Sequence, residues 1–133
     1  MSLKTLGTQE HNEDRWTVEF HPEFVPEFRA FTEPVQDELF AELIKLRRFG
    51  PQLGRPAVDT LKGSGFINMK ELRLQADNGV WRIAFAFDPD RKAILLVGGS
   101  KSGIGEKRFY RNLIRVADER FERHLKSLGA ERK

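Results

Sequence analysis

Five side chains of this chain could act together on a phosphodiester: Arg73, Arg82, Lys101, Tyr110 and Glu71. The two arginines offer planar, bidentate donors of the kind that suit a phosphate. Lys101 lies in the glycine-rich stretch GGSKSGIGEKRFYRN (98–112), which leads into a basic helical pattern. A helix N-terminus at that point would turn free backbone N–H groups toward an anion. Lys70, Lys107, Arg108 and Arg111 are further candidate phosphate- or RNA-binding cations. Tyr110, the only tyrosine, could stack on a base or move a proton, and Glu71 could accept one. Each feature also has a plainer reading. The glycines fit an ordinary strand-to-helix turn, an arginine could pair with Glu71 at the surface, and Tyr110 could be a half-buried residue with a wet tip.

The established phosphate motifs are absent. Gly98 and Gly103 have the spacing of a P-loop, but Ile104 stands where its lysine belongs, and GxGxxG fails as well. There are no cysteines, and His11, His21 and His124 show no metal-ligand spacing. No cofactor or metal is expected. Apolar runs are short, so neither a membrane span nor a signal peptide is expected, and a reducing cytoplasm fits the composition. The formal charge is only +3, yet residues 1–40 carry three basic and nine acidic side chains, and the remainder twenty and eleven. Such polarity points to a polyanionic partner.

The elements that must position these groups follow from periodicity. At 133 residues the chain suggests one domain with a real core: a flexible leader over 1–15, a domain over 16–128 and a tail over 129–133. WTVEF (16–20) reads as a first strand. Pro22 and Pro26 limit the helix that follows to a short one. Val35, Leu39, Leu43 and Leu46 define a longer helix, with Phe40 and Ile44 widening its stripe, Thr32 as N-cap and Gly50-Pro51 as its end. The proline- and glycine-rich stretch 51–65 reads as a connection. FINMKELRLQ (66–75), VWRIAFAF (80–87) and KAILLVGG (92–99) read as an antiparallel meander. In it Leu72 and Leu74 point to the core, and Met69, Glu71 and Arg73 away from it. Arg73 and Arg82 then share the non-core face as near cross-strand neighbours. A last helix over about 106–128 buries Phe109, Leu113, Val116, Ala117, Phe121 and Leu125. The fold class is α+β, with helices packed on one face of the sheet.

LKGSGFINMKELRL, the ELR at 71–73, GVWRIAFAF (79–87) and LLVGGSKSG, taken in order, resemble the RelE/ParE superfamily of bacterial toxins, and within it the HigB-like (phage Gp49-like) branch. The resemblance covers roughly residues 16–127. It implies a small antiparallel, mixed-edge sheet with two helices before it and one after. It further implies metal-independent cleavage of messenger RNA on the ribosome, by attack of the RNA 2′-OH on the adjacent phosphate. On that reading Arg82 binds the phosphate, Arg73 acts or orients its neighbours, Lys101 lies near the scissile group, and Tyr110 stacks and assists proton transfer. RelE-like enzymes carry lysines where this chain has Met69 and Glu71, so Glu71 is either a base or structural. The partner implied is an antitoxin with a helix-turn-helix part. The alternatives are a ParE-like toxin that inhibits DNA gyrase without catalysis, and a degenerate member that binds only antitoxin or nucleic acid.

Overall fold

The computed structural model describes residues 15–131. Residues 1–14, where most of the leader is expected, and 132–133 lie outside the described residues. β3 (Lys70–Ala76), β4 (Gly79–Phe87) and β5 (Lys92–Ser100) form the antiparallel meander. The two residues of the β3–β4 turn, Asp77 and Asn78, both have positive φ, 52° and 59°. That is the handedness of a type I′ hairpin turn, which short polar side chains tolerate. β1 (Thr17–Phe20) joins β5 in parallel at one edge, and β2 (Val58–Thr60) joins β3 antiparallel at the other, giving the order β1-β5-β4-β3-β2. α1 (Phe24–Arg29), α2 (Glu33–Phe49) and a 3₁₀ turn (Gly50–Gln52) lie between β1 and β2, and α3 (Glu106–Glu131) follows β5.

Both faces of the sheet are covered, which corrects the one-sided packing expected from sequence. On one face α1 and α2 bring Phe24, Val35, Leu39, Leu43 and Leu46 onto Leu72, Leu74, Ile83, Phe85 and Leu95. On the other, Phe109, Leu113, Ala117 and Phe121 of α3 pack on Met69, Ala84, Ala86, Ile94 and Leu96. The strand alternation was legible, but the second face is not solvent. Small alanines at 84 and 86 leave room for α3 to sit close, and the helix brings the larger side chains. Met69 and Glu71 are therefore buried instead of exposed. Each Leu- or Phe-sized group so buried contributes about 1.5–3 kcal/mol.

Smaller differences have local causes. Phe40 and Ile44 stay exposed, because the sheet is reached by a narrower stripe of α2. Val116 is only half-buried. Stretch 51–65 contains β2, three residues too short to show a period. The expected strand from Phe66 starts at Lys70, because Ser64 and Gly65 are tied to Asp118 of α3 by bonds of 2.5 and 2.7 Å. α3 continues to Glu131, into the stretch read as a tail. Gly98 leaves room for the Ile83 side chain on β4. A Cβ there would fall 2.4 Å from Ile83 Cδ1 and 3.3 Å from the Arg82 carbonyl oxygen.

Candidate active site

β3 and β4 place Arg73 and Arg82 directly opposite each other, and Glu71 lies two residues along on the same face. Glu71 is the hub. Its Oε1 accepts a 2.8 Å hydrogen bond from the Tyr110 hydroxyl on the first turns of α3, and its Oε2 takes Arg73 Nη2 at 3.3 Å. Arg82 Nε lies 3.8 Å from Oε1. That is an ion-pair distance but too long for a hydrogen bond, so Nε is buried with no hydrogen-bond partner. Arg82 Nη1 donates to the Val80 carbonyl at 3.3 Å. Its guanidinium carbon sits 5.8 and 5.7 Å from the ring centres of Phe109 and Tyr110, within cation–π range.

One buried carboxylate thus faces two guanidiniums, and the cluster keeps a net positive charge. The side chains of Glu71 and Arg82 are 5% and 8% exposed, whereas Arg73 is 45% exposed and reaches solvent. Burial pushes the Tyr110 phenol above its ordinary range, and the hydrogen bond and charge of Glu71 add to this. The phenol is therefore held protonated, with its hydrogen directed at Glu71 and its oxygen lone pairs left for another donor.

Glu71, Arg73 and Tyr110 of this cluster floor a cleft of about 630 Å³ between the β2–β3 edge and the start of α3, lined also by Asp59, Thr60, Lys62, Glu106, Lys107 and Arg111 among others. A neighbouring depression of about 480 Å³ holds Arg82, Ser100, Lys101, Ser102 and Glu106. Glu106 stands between the two. It accepts a 3.0 Å bond from Lys101 Nζ, and this bond chiefly holds the Glu106 carboxyl below its ordinary range. The glycine loop is shaped by an Ile104 N–H bond to the Lys101 carbonyl and by Gly103 at φ +83°.

The structure therefore brings together Glu71, Arg73, Arg82, Tyr110, Lys107 and Arg111, with Lys101 in the adjoining depression. Two candidates stand apart. Lys70 precedes Glu71 on β3 and so alternates to the opposite face, and exposed Arg108 does not line the cleft. Sequence reasoning missed Asp59, Thr60, Lys62 and Glu106. The first three depend on β2. Glu106 carried a faint signal, as an acid at the start of a helix close behind Lys101.

The family model of phage-derived Gp49-like proteins matches residues 26–122. The chain belongs to this Gp49-like family. Two Mycobacterium tuberculosis relatives are similar. The candidate toxin HigB3 is 56% identical over 59% of this chain and 66% of its own length, and the candidate toxin HigB2 is 48% identical over 65% and 43%. The match thus spans about two thirds of one relative and less than half of the other. Among solved structures, a mutant of the E. coli toxin RelE in the free state superposes with a TM-score of 0.55 at 13% identity, covering 74% of this chain and 93% of RelE. The HigB-like resemblance drawn from the ELR, GVWR and LLVGGSKSG segments stands, and the fold of this Gp49-like chain is RelE-like.

Proposed function

We propose that this Gp49-like protein is the toxin of a toxin–antitoxin module and that it cleaves messenger RNA on the ribosome. Its HigB relatives support the toxin assignment. The observation that carries the chemistry is the buried Glu71–Tyr110–Arg73–Arg82 cluster, with an Arg82 Nε that has spare donor capacity beside a basic cleft.

In this reaction the RNA 2′-oxygen attacks the adjacent phosphorus, the P–O5′ bond breaks, and a cyclic 2′,3′-phosphate and a 5′-hydroxyl result. Tyr110 Oη, having given its hydrogen to Glu71, accepts the proton of the 2′-OH while its own proton passes to the Glu71 carboxylate. Arg82 and Arg73 meet the charge that builds on the phosphorane oxygens. Only interactions that strengthen in that transition state raise the rate, and preorganised cations in a partly dry site are effective at this. Lys101, from the adjoining depression, is the proposed proton donor to the leaving 5′-oxygen. Lys107 and Arg111 hold flanking phosphates as point charge and fork. The reaction is proposed to be metal-independent.

The proposed regulator is an antitoxin whose acidic segment meets the basic surface around the cleft by charge complementarity, with both proteins in the cytoplasm. The test is cleavage of a defined message on programmed ribosomes, with and without EDTA. A-site cuts that persist in EDTA and disappear in Arg82→Ala are expected. Folded protein that cuts nothing would overturn the nuclease, and a gyrase supercoiling assay would then be decisive for the ParE-like alternative.

A further inference from the structure

Among the described residues, the acids that line the cleft and its neighbouring depression are Asp59, Glu71 and Glu106, and they are held differently. Glu71 is the buried hub. Asp59 is turned back on its own surroundings, accepting the Thr60 N–H at 2.8 Å and lying 3.3 Å from Arg55 Nε. Glu106 lines both concavities, and its side chain is 66% exposed. It holds Lys101 Nζ at 3.0 Å, on a side chain itself 40% exposed. Lys101 keeps the Glu106 carboxyl below its ordinary range, against a small opposing effect of burial, and Arg82 and Arg73 add to the lowering. A charged carboxylate therefore sits in the field of the same three cations that were assigned to the phosphate. An anion so placed works against a polyanionic ligand unless it gives way. Exposed ion pairs are weak, so this one can exchange by side-chain rotation alone, whereas the Glu71 contacts cannot part without opening the core.

We propose that Glu106 is an internal stand-in for a phosphate of the RNA, and that the entering RNA takes Lys101 from it. The depression that would receive the phosphate also holds the Ser100 and Ser102 hydroxyls, 3.1 Å apart, and is lined by Arg82, whose Nε is buried without a hydrogen-bond partner. Ammonium, hydroxyl and guanidinium donors gathered there suit the tetrahedron of oxygens around phosphorus, which offers more acceptors than the carboxylate of an acidic peptide. Glu106 touches no reacting atom. It acts through Lys101, keeping that ammonium paired until a phosphate replaces the carboxylate, and so sets affinity instead of rate. In the parent chain the phosphate gained by Lys101 is offset by the carboxylate set free, so the contact adds little to the salt dependence of binding. The inference rests on the reading above in naming RNA as the ligand.

The test is binding by the full chain to a labelled single-stranded 2′-O-methyl oligonucleotide, which has no free 2′-OH to react, at several salt concentrations. Glu106→Gln is expected to bind about three- to ten-fold more tightly at low salt, with a log–log salt slope steeper by about one. Glu119 forms a comparable exposed pair with Arg115 farther along α3, at 3.4 Å. Glu119→Gln removes the same charge there and should change affinity by less than about two-fold. Thermal melts check the fold of each variant. In a Lys101→Met background the gain from Glu106→Gln should shrink below about two-fold, because no ammonium is left to release. A gain that survives Lys101→Met, an affinity no tighter than the parent's, or no binding by either chain overturns the proposal. A gain toward a poly-glutamate peptide but not toward the oligonucleotide overturns it too, and assigns the depression to an acidic protein. Protein that still cleaves message while its binding ignores Glu106 overturns this inference alone. Protein that cleaves nothing but shows the Glu106 effect overturns the nuclease alone.

Discussion

Two buried arginines, Arg82 of β4 beside the first turns of α3 and Arg120 midway along α3, make contrasting use of the same side chain. Arg120 is held by short hydrogen bonds through its two terminal nitrogens. Its Nη1 donates to Glu27 Oε1 at 2.8 Å and to the Leu96 carbonyl at 2.7 Å, its Nη2 meets Glu27 Oε2 at 2.5 Å, and Nε lies 3.8 Å from Glu23. Around it Arg123 donates to Glu23 at 2.6 Å, and His124 meets the fully buried Asp88 at 2.8 Å. This cluster fastens α3 to α1 and to the sheet. Arg82 is as deeply buried, but its contacts are long, 3.3 Å to a carbonyl and 3.8 Å to Glu71, and one donor is unpaired. A guanidinium held by short carboxylate and carbonyl bonds has little left to offer a substrate, whereas one with long contacts costs stability until an anion arrives. The difference separates a strut from a site within one small domain.

The contrast can be tested from its strongest consequence downward. Arg120→Ala should destabilise the fold by about 1.5–3 kcal/mol, because it removes charge-assisted bonds to Glu27 and leaves the buried Leu96 carbonyl without that donor. Denaturant unfolding would register this, while cleavage per folded molecule should hardly change. If activity fell as far as stability, Arg120 would not be a mere strut. Arg82→Ala should do the reverse, losing about 10²–10³ in cleavage rate with a much smaller shift of the unfolding midpoint. Equal losses in both measurements would erase the distinction drawn here. Tyr110→Phe keeps the ring over Arg82 and removes one hydroxyl. Single-turnover cleavage should fall about 10²-fold, the lower end for acid–base groups, and stability should fall by about 1.5–3 kcal/mol at most, as for a bond to a charged acceptor.

The smallest effect belongs to His21, at the strut end. Burial lowers its pKa, opposed by Glu23 and helped by Arg120, Arg123 and His124. The folded state therefore binds a proton less readily than the unfolded chain. The stability this contributes is present above the unfolded value of about 6.5 and is lost as pH falls below it, toward the lowered folded value. Unfolding midpoints should decline from pH 7 to pH 5, and His21→Gln should flatten that decline. A slope unaffected by the substitution would place the titration elsewhere.

Local patterns account for much of this legibility. The meander, its Asp77-Asn78 turn, the short α1 between prolines and the buried row of α2 follow from alternation, turn chemistry and helical spacing, all short-range properties. The same alternation put Glu71, Arg73 and Arg82 on one face, and the register makes the arginines direct partners. The order of the LKGSGFINMKELRL, ELR, GVWRIAFAF and LLVGGSKSG segments was enough for the family. What lay beyond the sequence depended on where α3 lands. Nothing within β3 or β4 says that Ala84 and Ala86 will be roofed by a helix, so Met69 and Glu71 read as exposed. Once α3 covers that face, Tyr110 reaches Glu71 across 39 residues of chain, and the carboxylate becomes a buried hub instead of a surface partner. β2 could not be read because three residues carry no period, and with it went one wall of the cleft. Nor could spacing tell Arg82 from Arg120, since both are arginines beside acids. The sequence by itself determined residue types, element order and strand faces, because these depend on neighbours along the chain. Tertiary structure alone decided which charges are desolvated and which donors stay unpaired, because these depend on what packs against them from far away in sequence.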